Sequence, residues 1–431
     1  MNLTARLRSI VRPTTARELT YEPDTGRYEA AIDMDRVADV LGGRVVANAF
    51  GRALVIDRRY ESDRSHGDTK IGAIAFDDDE RLRVLDPALT PADGIGSRMV
   101  FVDLETTGLS GGAGTMAFLI GCGWFDVGAF QVRQFLLTSY AAERALLCAV
   151  ADCLAETALL VTYNGKTFDV PVMETRWLFH RMPPPLESVR HFDMLHPARR
   201  LWRRRDGEAE DEACCRLSTL ERVVCGVTRA GDVPGMEIPT RYFRFLRTAD
   251  ARPLEPVLEH NRIDLVSLAA VTSSAVTLVE QGSEACRDGC EALALGKVLE
   301  RAGAHAAALA CFQRAADDGR MHIDVRAEAL YHLGLRLRRD RRFEEAADVW
   351  KRVLALAPSR GMRSTVVEPL RRFAVRQLAI QHEHRERDYE GARELTLQLL
   401  EESDREQVDD SRRRLERLDR KIARSAGELF A

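Results

Sequence analysis

Asp103 and Glu105 are the residues of this chain whose types and spacing most directly suggest chemistry. They end the apolar run Met99-Val-Phe-Val-Asp-Leu-Glu-Thr-Thr-Gly-Leu109, which reads as a short strand. Alternate side chains of a strand share a face, so the two carboxylates point the same way and Leu104 points into the opposite layer. Held side by side they repel, and a bound cation offsets that cost. Oxygen ligands on one face suit a hard divalent ion such as magnesium or manganese. Two further acidic stations lie downstream. Asp169 closes Asn164-Gly-Lys-Thr-Phe-Asp169, just before Pro171 and a helix expected to run through His180, so it sits near a helix N-terminus. His260 and Asp264 lie four apart in the helix-like stretch 255–270, one turn from each other on one face.

The elements that position these groups can be read around them. Met116–Phe125 and Phe130–Leu137 are apolar and joined to the first strand and to each other by short connections, which predicts an antiparallel meander of three strands. Residues 141–154 carry helical periodicity, and Ala158-Leu-Leu-Val-Thr-Tyr163 suits a buried strand. Three strands, a crossover helix and a further strand make an α/β layer arrangement, whose ligands sit at strand ends. Gly111-Gly-Ala-Gly114 lacks the Lys-Ser/Thr of a phosphate-binding loop and reads as a plain turn. Residues 1 to about 35 read as a loose polar arm. A short helix from Asp35 and two strands near 43–47 and 52–57 then form a small β-rich prefix packed on the central region. Downstream, Arg190, Arg199, Arg200, Arg203, Arg204 and Arg205 accompany His191, His196 and Trp202. They are either a solvated face or a phosphate-tracking patch with Trp202 as a stacking surface. Ser218-Thr-Leu-Glu221 has the capping-box pattern at a helix start.

At 431 residues the chain has room for two or three domains. Hydrophobic residues make up 45% and charged residues 30%, which reads as globular and non-membrane. The net charge of -4 does not advertise a polyanion partner, so a nucleic-acid surface would be a local patch. No apolar run reaches the roughly 18 residues of a membrane span, and the N-terminus lacks the apolar core of a secretory signal. Nine cysteines without zinc-ribbon spacing read as a reduced thiol set in a cytoplasmic protein.

The last third repeats. Leu295-Gly-Lys-Val-Leu299 aligns with Leu333-Gly-Leu-Arg-Leu337 at a shift of 38, which also carries Ala308 to Ala346 and Phe312 to Trp350. This looks like a tetratricopeptide repeat lengthened by a loop, with a weaker third copy through Tyr389-Glu-Gly-Ala392. Small Gly and Ala positions let paired helices approach while Phe312 and Trp350 fill the space between them. Such an array either binds a protein partner or buttresses the preceding domain. A cluster of arginines, Arg336, Arg338, Arg339, Arg341 and Arg342, gives a weaker nucleic-acid reading.

Taken together, D-x-E at 103–105, N-x-x-x-F-D at 164–169 and H-x-x-x-D at 260–264, in strand-strand-strand-helix-strand order, resemble the DEDD exonucleases of the ribonuclease-H-like superfamily. Within it the likeness is to the YprB-type domain followed by helical repeats. The resemblance implies an α/β ribonuclease-H-like domain, a mixed sheet flanked by helices, plus an all-α helical-repeat C-terminal domain. Its expected divisions are 1–95, an arm and β-rich prefix; 96–282, the exonuclease domain; and 283–431, the repeats. It implies hydrolysis of DNA or RNA from a single-stranded 3' end, with Asp103, Glu105, Asp169 and Asp264 holding two Mg2+ or Mn2+ ions roughly 4 Å apart. His260 is the candidate general base, because imidazole titrates near neutral pH. Thr106, Thr107 and Leu109 would contact the terminal nucleotide, with Asn164 and Phe168 supporting the second motif. Family members with a third-motif His usually place it five residues before the final Asp, whereas His260 stands four before. The rival reading is a catalytically weak nucleic-acid-binding or scaffolding protein whose repeats recruit a partner.

Overall fold

A computed structural model of the chain describes residues 32–76, 79–91, 98–108, 114–203, 215–356, 364–401 and 405–428. Helix α1 (Met34–Leu41) starts where the Asp33 carboxylate accepts from the amides of Asp35 and Arg36, and ends at Gly42 in a left-handed conformation. Strands β1 (Arg44–Asn48) and β2 (Gly51–Tyr60) form a hairpin. A small ribbon, β3 (Ser65–His66) with β4 (Thr69–Lys70), and the short helices α2 (Ile71–Ile74) and α3 (Asp79–Leu85) lead to β5 (Arg98–Thr106). β6 (Ala117–Asp126) and β7 (Ala129–Leu136) complete the expected meander. Helix α4 (Glu143–Leu154) crosses over, and β8 (Thr157–Thr162) returns parallel to β5. After α5 (Asp169–Phe179), β9 (Arg190–Asp193) adds in parallel to β8.

The resulting seven-stranded mixed sheet runs β1-β2-β7-β6-β5-β8-β9. β2 pairs with β7 from Leu54 to Tyr60, so the strands of the N-terminal prefix are hydrogen-bonded into the central sheet rather than packed against it. The start of the basic run is likewise a strand. Arg190 is paired with Asp79 and donates to the Thr90 carbonyl, and Arg200 donates to the Leu85 carbonyl.

Helices α6 (Leu195–Trp202), α7 (Leu217–Cys225), α8 (Ile238–Thr248) and α9 (Glu255–Gln281) come next. β5 divides the core. Val100, Val102 and Leu104 pack with Leu146, Leu147, Met173, Trp177 and Tyr242 on one face of the sheet. Phe101 faces the other layer with Phe130 and with Leu265 and Val266 of α9. By length and composition α9 could cross a membrane, but its apolar side chains are packed inside the protein, which makes it a core helix. Two sequence expectations fail here. The capping box does not form, because α7 starts at Leu217 with Arg216 as its cap residue and Glu221 turns inward. Trp202 is not a stacking surface, since it is buried and its indole donates to Glu291 at 2.6 Å.

Beyond Gly289 the described elements are all helices: α10 (Gly289–Arg301), α11 (His305–Asp317), α12 (Ile323–Arg339), α13 (Phe343–Ala355), α14 (Val367–Gln381) with a π-helical turn after it (His382–Glu386), α15 (Tyr389–Glu401) and α16 (Arg405–Glu428). The repeated glycines are packing positions. A methyl group on Gly296 would lie 2.6 Å from the Phe312 ring, and one on Gly334 would lie 2.5 Å from Trp350. The apolar core behind α9 continues without a break into these helices. Most of the repeat arginines are paired internally, Arg336 with Glu300 and Asp340, Arg339 with Glu300, and Arg342 with Glu345. That pairing leaves little free charge for a phosphate backbone.

Candidate active site

β5 presents Asp103 and Glu105 on the face covered by α9, and close approach of that helix depends on one residue of β6. Gly121 stands opposite Asp103 in the ladder, and a methyl group there would lie 2.3 Å from Asn261 Oδ1 and 2.8 Å from Leu265. Without a side chain at 121, α9 comes near enough for Asn261 Nδ2 to donate to Asp103 Oδ2 at 2.8 Å and to its carbonyl at 3.2 Å. Asn261 is itself fixed, because Gln134 on β7 donates to its Oδ1 at 2.7 Å and to the Leu258 carbonyl at 2.9 Å. Arg262 in turn donates to Gln134 Oε1 at 3.3 Å. The result is a buried polar relay from β7 through α9 to the first carboxylate.

The second station is built on Asp193 at the end of β9. Its fully buried carboxylate accepts from the amides of Asn164 (2.8 Å), Lys166 (3.0 Å) and Leu195 (3.1 Å). These bonds hold the loop after β8, in which Asn164 takes a positive φ of 69°. The Asn164 side chain is exposed and accepts from the Thr167 hydroxyl at 2.7 Å, and Phe168 immediately precedes α5. Asp169 is then the first residue of that helix and is buried. The helix is anchored behind it by Arg176, which pairs with Glu143 of α4 at 2.6 Å.

The third station carries His260 and Asp264 on one side of α9. His260 Nε2 lies 3.4 Å from Asp264 Oδ2 and 4.0 Å from Glu105 Oε1. Its other nitrogen, Nδ1, lies 2.6 Å from Asp232 Oδ1. Asp264 Oδ1 pairs with Arg229, whose guanidinium also forks onto the buried Glu221 at 2.6 and 2.8 Å. Glu221 accepts from Ser267, which is 2.9 Å from His66 Nε2. Burial, and secondarily the nearby Arg229, push the His66 imidazole down to about 4, so it is neutral.

The carboxylates perturb one another. Burial first, then the charges of Asp264, Glu105 and Asp169, raise the Asp103 carboxyl well above the usual range, against the Asn261 hydrogen bond. Burial and the charges of Asp264, Asp169 and Asp232 do the same to Glu105. Burial and the Asp193 charge push Asp169 up to about 7. Arg229 offsets only part of this negative charge, and the all-oxygen donors of the set fit hard divalent cations. No three of the four bring ligand atoms within 4.8 Å of one another in this conformation, in which Arg229 draws on Asp264. Thr106 and Thr107 are engaged in the loop itself, Thr106 donating to the Gly108 carbonyl at 2.9 Å and Thr107 accepting from the Met116 amide at 3.1 Å. Leu109 lies outside the described residues.

The ribonuclease H superfamily (RNase_H superfamily) profile matches residues 100–276. The chain is also 31% identical over 329 residues to the uncharacterized protein YprB of Bacillus subtilis (strain 168), an alignment spanning 76% of this chain and 74% of that one. The chain belongs to the YprB family of the ribonuclease H superfamily. For a YprB-family member the matched span is informative, since it opens in β5 and closes in α9 and so contains all three acidic stations. Membership supports a role in nucleic-acid processing. The likeness to the Bacillus protein is longer than the superfamily span and so takes in sequence outside it.

Four further residues of the site were not singled out from sequence. Asn261 lies inside the third motif, where its neighbours drew attention away from it. Asp193 could have been suspected from the strand Arg190-His-Phe-Asp193, had the arginines not suggested a basic patch. Arg229 and Asp232 sit in the loop between α7 and α8 with no local signal, because only the fold brings them to α9.

Proposed function

We propose that the chain is a metal-dependent 3'-to-5' exonuclease hydrolysing DNA or RNA, with residues 96–282 as the catalytic unit. The observation that supports this most is the placement of Asp103, Glu105 and Asp169, partly or fully buried and with raised carboxyls, on a ribonuclease H superfamily sheet beside Asp264 and His260 of α9. With Asp264 they would hold two divalent ions, Mg2+ or Mn2+. Bound there, such ions acidify water and offset charge on the phosphate. The chain's own groups do the rest. His260 Nε2 accepts the proton of the attacking water as the new P–O bond forms and the bond to the leaving 3' oxygen breaks. Thr106, Thr107 and Leu109 meet the terminal nucleotide, and Asn164 and Phe168 shape the loop that offers Asp169.

One observation favours the second reading, a slow or retired enzyme that binds nucleic acid and recruits a protein through its helical region. Arg229 holds Asp264 as a counter-ion would. A time course on 5'-labelled single-stranded DNA and RNA with Mg2+ or Mn2+, comparing wild type with Asp103→Asn, separates the two. A ladder shortening from the 3' end only in wild type supports the exonuclease. Absence of cleavage together with absence of Mn2+-dependent thermal stabilisation of the full chain supports the binding protein. A cytoplasmic location, suggested by the cysteine spacing in the sequence, belongs to either reading.

A further inference from the structure

His260 and Asp264 lie one turn apart on α9, and the ring of His260 is also contacted from outside that helix. The loop between α7 and α8 supplies two polar neighbours of Nδ1: Asp232 Oδ1 at 2.6 Å and Arg229 Nη1 at 3.4 Å. They demand opposite things. A carboxylate can only accept, so contact with Asp232 requires a proton on Nδ1 and leaves Nε2 as the nitrogen that faces the site, 3.4 Å from Asp264 Oδ2 and 4.0 Å from Glu105 Oε1. A guanidinium can only donate, so contact with Arg229 requires a bare Nδ1 and sends the proton to Nε2. The distances decide between them, because 2.6 Å is a short charge-assisted hydrogen bond and 3.4 Å is beyond a good one.

The Asp232 carboxylate is also held on both sides. Its Oδ1 accepts from the Val233 amide at 2.9 Å and its Oδ2 from Arg229 Nη1 at 3.2 Å. The next residue, Val233, is buried in the core beneath α8. Arg229 is fixed by Glu221, so the loop is braced against α7. Burial works against ionisation of Asp232, but the His260 hydrogen bond and the charges of His260 and Arg229 hold its carboxyl below the usual range. A base oriented by a third group is the general requirement for positioned proton transfer.

We propose that Asp232 is the positioning residue of this site: it accepts a hydrogen bond from His260 Nδ1–H and thereby turns Nε2 toward Glu105 and Asp264. The chemical part of this inference rests on the exonuclease reading, whereas the contact itself does not.

The test is made on the full chain. Spectra of 15N-histidine-labelled protein without metal, at mildly alkaline pH, should show a deshielded, slowly exchanging Nδ1–H for His260, identified by its loss in His260→Gln. Asp232→Asn, whose neutral amide oxygen accepts more weakly, should shift that signal upfield and speed its exchange, and Asp232→Glu should keep it in part, with melting temperatures reporting that both variants fold. In hydrolysis assays D232N should lower kcat by about 10- to 100-fold with KM little changed, and D232E should recover part of the loss. A bare Nδ1 in wild type, or an unchanged signal in D232N, would overturn the contact. If the signal behaves as expected but D232N cleaves at the wild-type rate, the positioning role is overturned. If wild type cleaves nothing while the signal still depends on Asp232, the contact stands and the exonuclease reading falls.

Discussion

Replacing Arg229 with methionine tests how the site is held together, and its cost can be worked from burial. The guanidinium is 8% exposed and its main partner Glu221 2%, with two parallel bonds of 2.6 and 2.8 Å. An exposed pair of this kind would contribute about 0–1 kcal/mol. Here the change strands a buried carboxylate whose remaining support is the Ser267 hydroxyl. Removing one member of a buried pair typically costs about 3–5 kcal/mol, whereas replacing both members with apolar groups is often neutral. Arg229→Met should therefore destabilise by about 3–5 kcal/mol, and the double variant Arg229→Met/Glu221→Leu should recover most of that loss. Urea denaturation followed by tryptophan fluorescence reads both. A loss below about 1 kcal/mol for the single variant would refute the burial argument. A double variant no better than the single would mean that Arg229 acts mainly through Asp264. The same variant frees Asp264, so Mn2+ should raise its melting temperature by more than it raises that of wild type.

Gly121→Ala should destabilise by about 1–3 kcal/mol, because the new methyl lands 2.3 Å from Asn261 Oδ1; thermal unfolding indistinguishable from wild type would show that α9 is not so closely seated. Gly334→Ala should destabilise too, although the helical propensity of alanine alone favours it by about 0.5–1 kcal/mol; a stabilised variant would mean that Trp350 moves aside freely. Asp169 provides a pH signature. Its carboxyl is raised to about 7 in the folded chain, so the folded state binds the proton more tightly than the unfolded one. Metal-free stability should then fall, by up to about 4 kcal/mol from this group, as pH rises from about 4 to about 7. Asp169→Asn should flatten that slope, and a steeper slope in the variant would contradict it.

The sheet was legible because β5, β6, β7 and β8 are continuous apolar runs whose connections fix their pairing, and the acidic stations were legible because each follows such a run or lies on a periodic helix. The prefix strands β1 and β2 were visible as strands, but their place in the main sheet was not. Pairing of β2 with β7 joins residues about 75 apart, and no local pattern encodes it. β9 is four residues long and carries an arginine and a histidine, so composition hid it. Glu221 shows how a local motif can mislead. Its spacing from Ser218 satisfies the capping pattern, yet a buried partner, Arg229, competes for the carboxylate and wins.

The residues that sequence missed are those that decide the electrostatics of the site. Asp103, Glu105, Asp169, Asp264, Asp232 and Glu221 bring six carboxylates toward one region, and Arg229 is the guanidinium placed among the last three. That arrangement divides the acids into two groups. Glu221 and Asp232 are satisfied by Arg229, by Ser267 and by the Val233 amide. Among the described residues no guanidinium is hydrogen-bonded to Asp103, Glu105 or Asp169, and their carboxyls are driven upward. Asp264 belongs to both groups, with one oxygen on Arg229 and the other toward His260. A cation held by Asp103, Glu105 and Asp169 would therefore compete with Arg229 for Asp264. Its affinity would depend as much on how firmly Glu221 and Asp232 retain that arginine as on the four acidic residues of the motif.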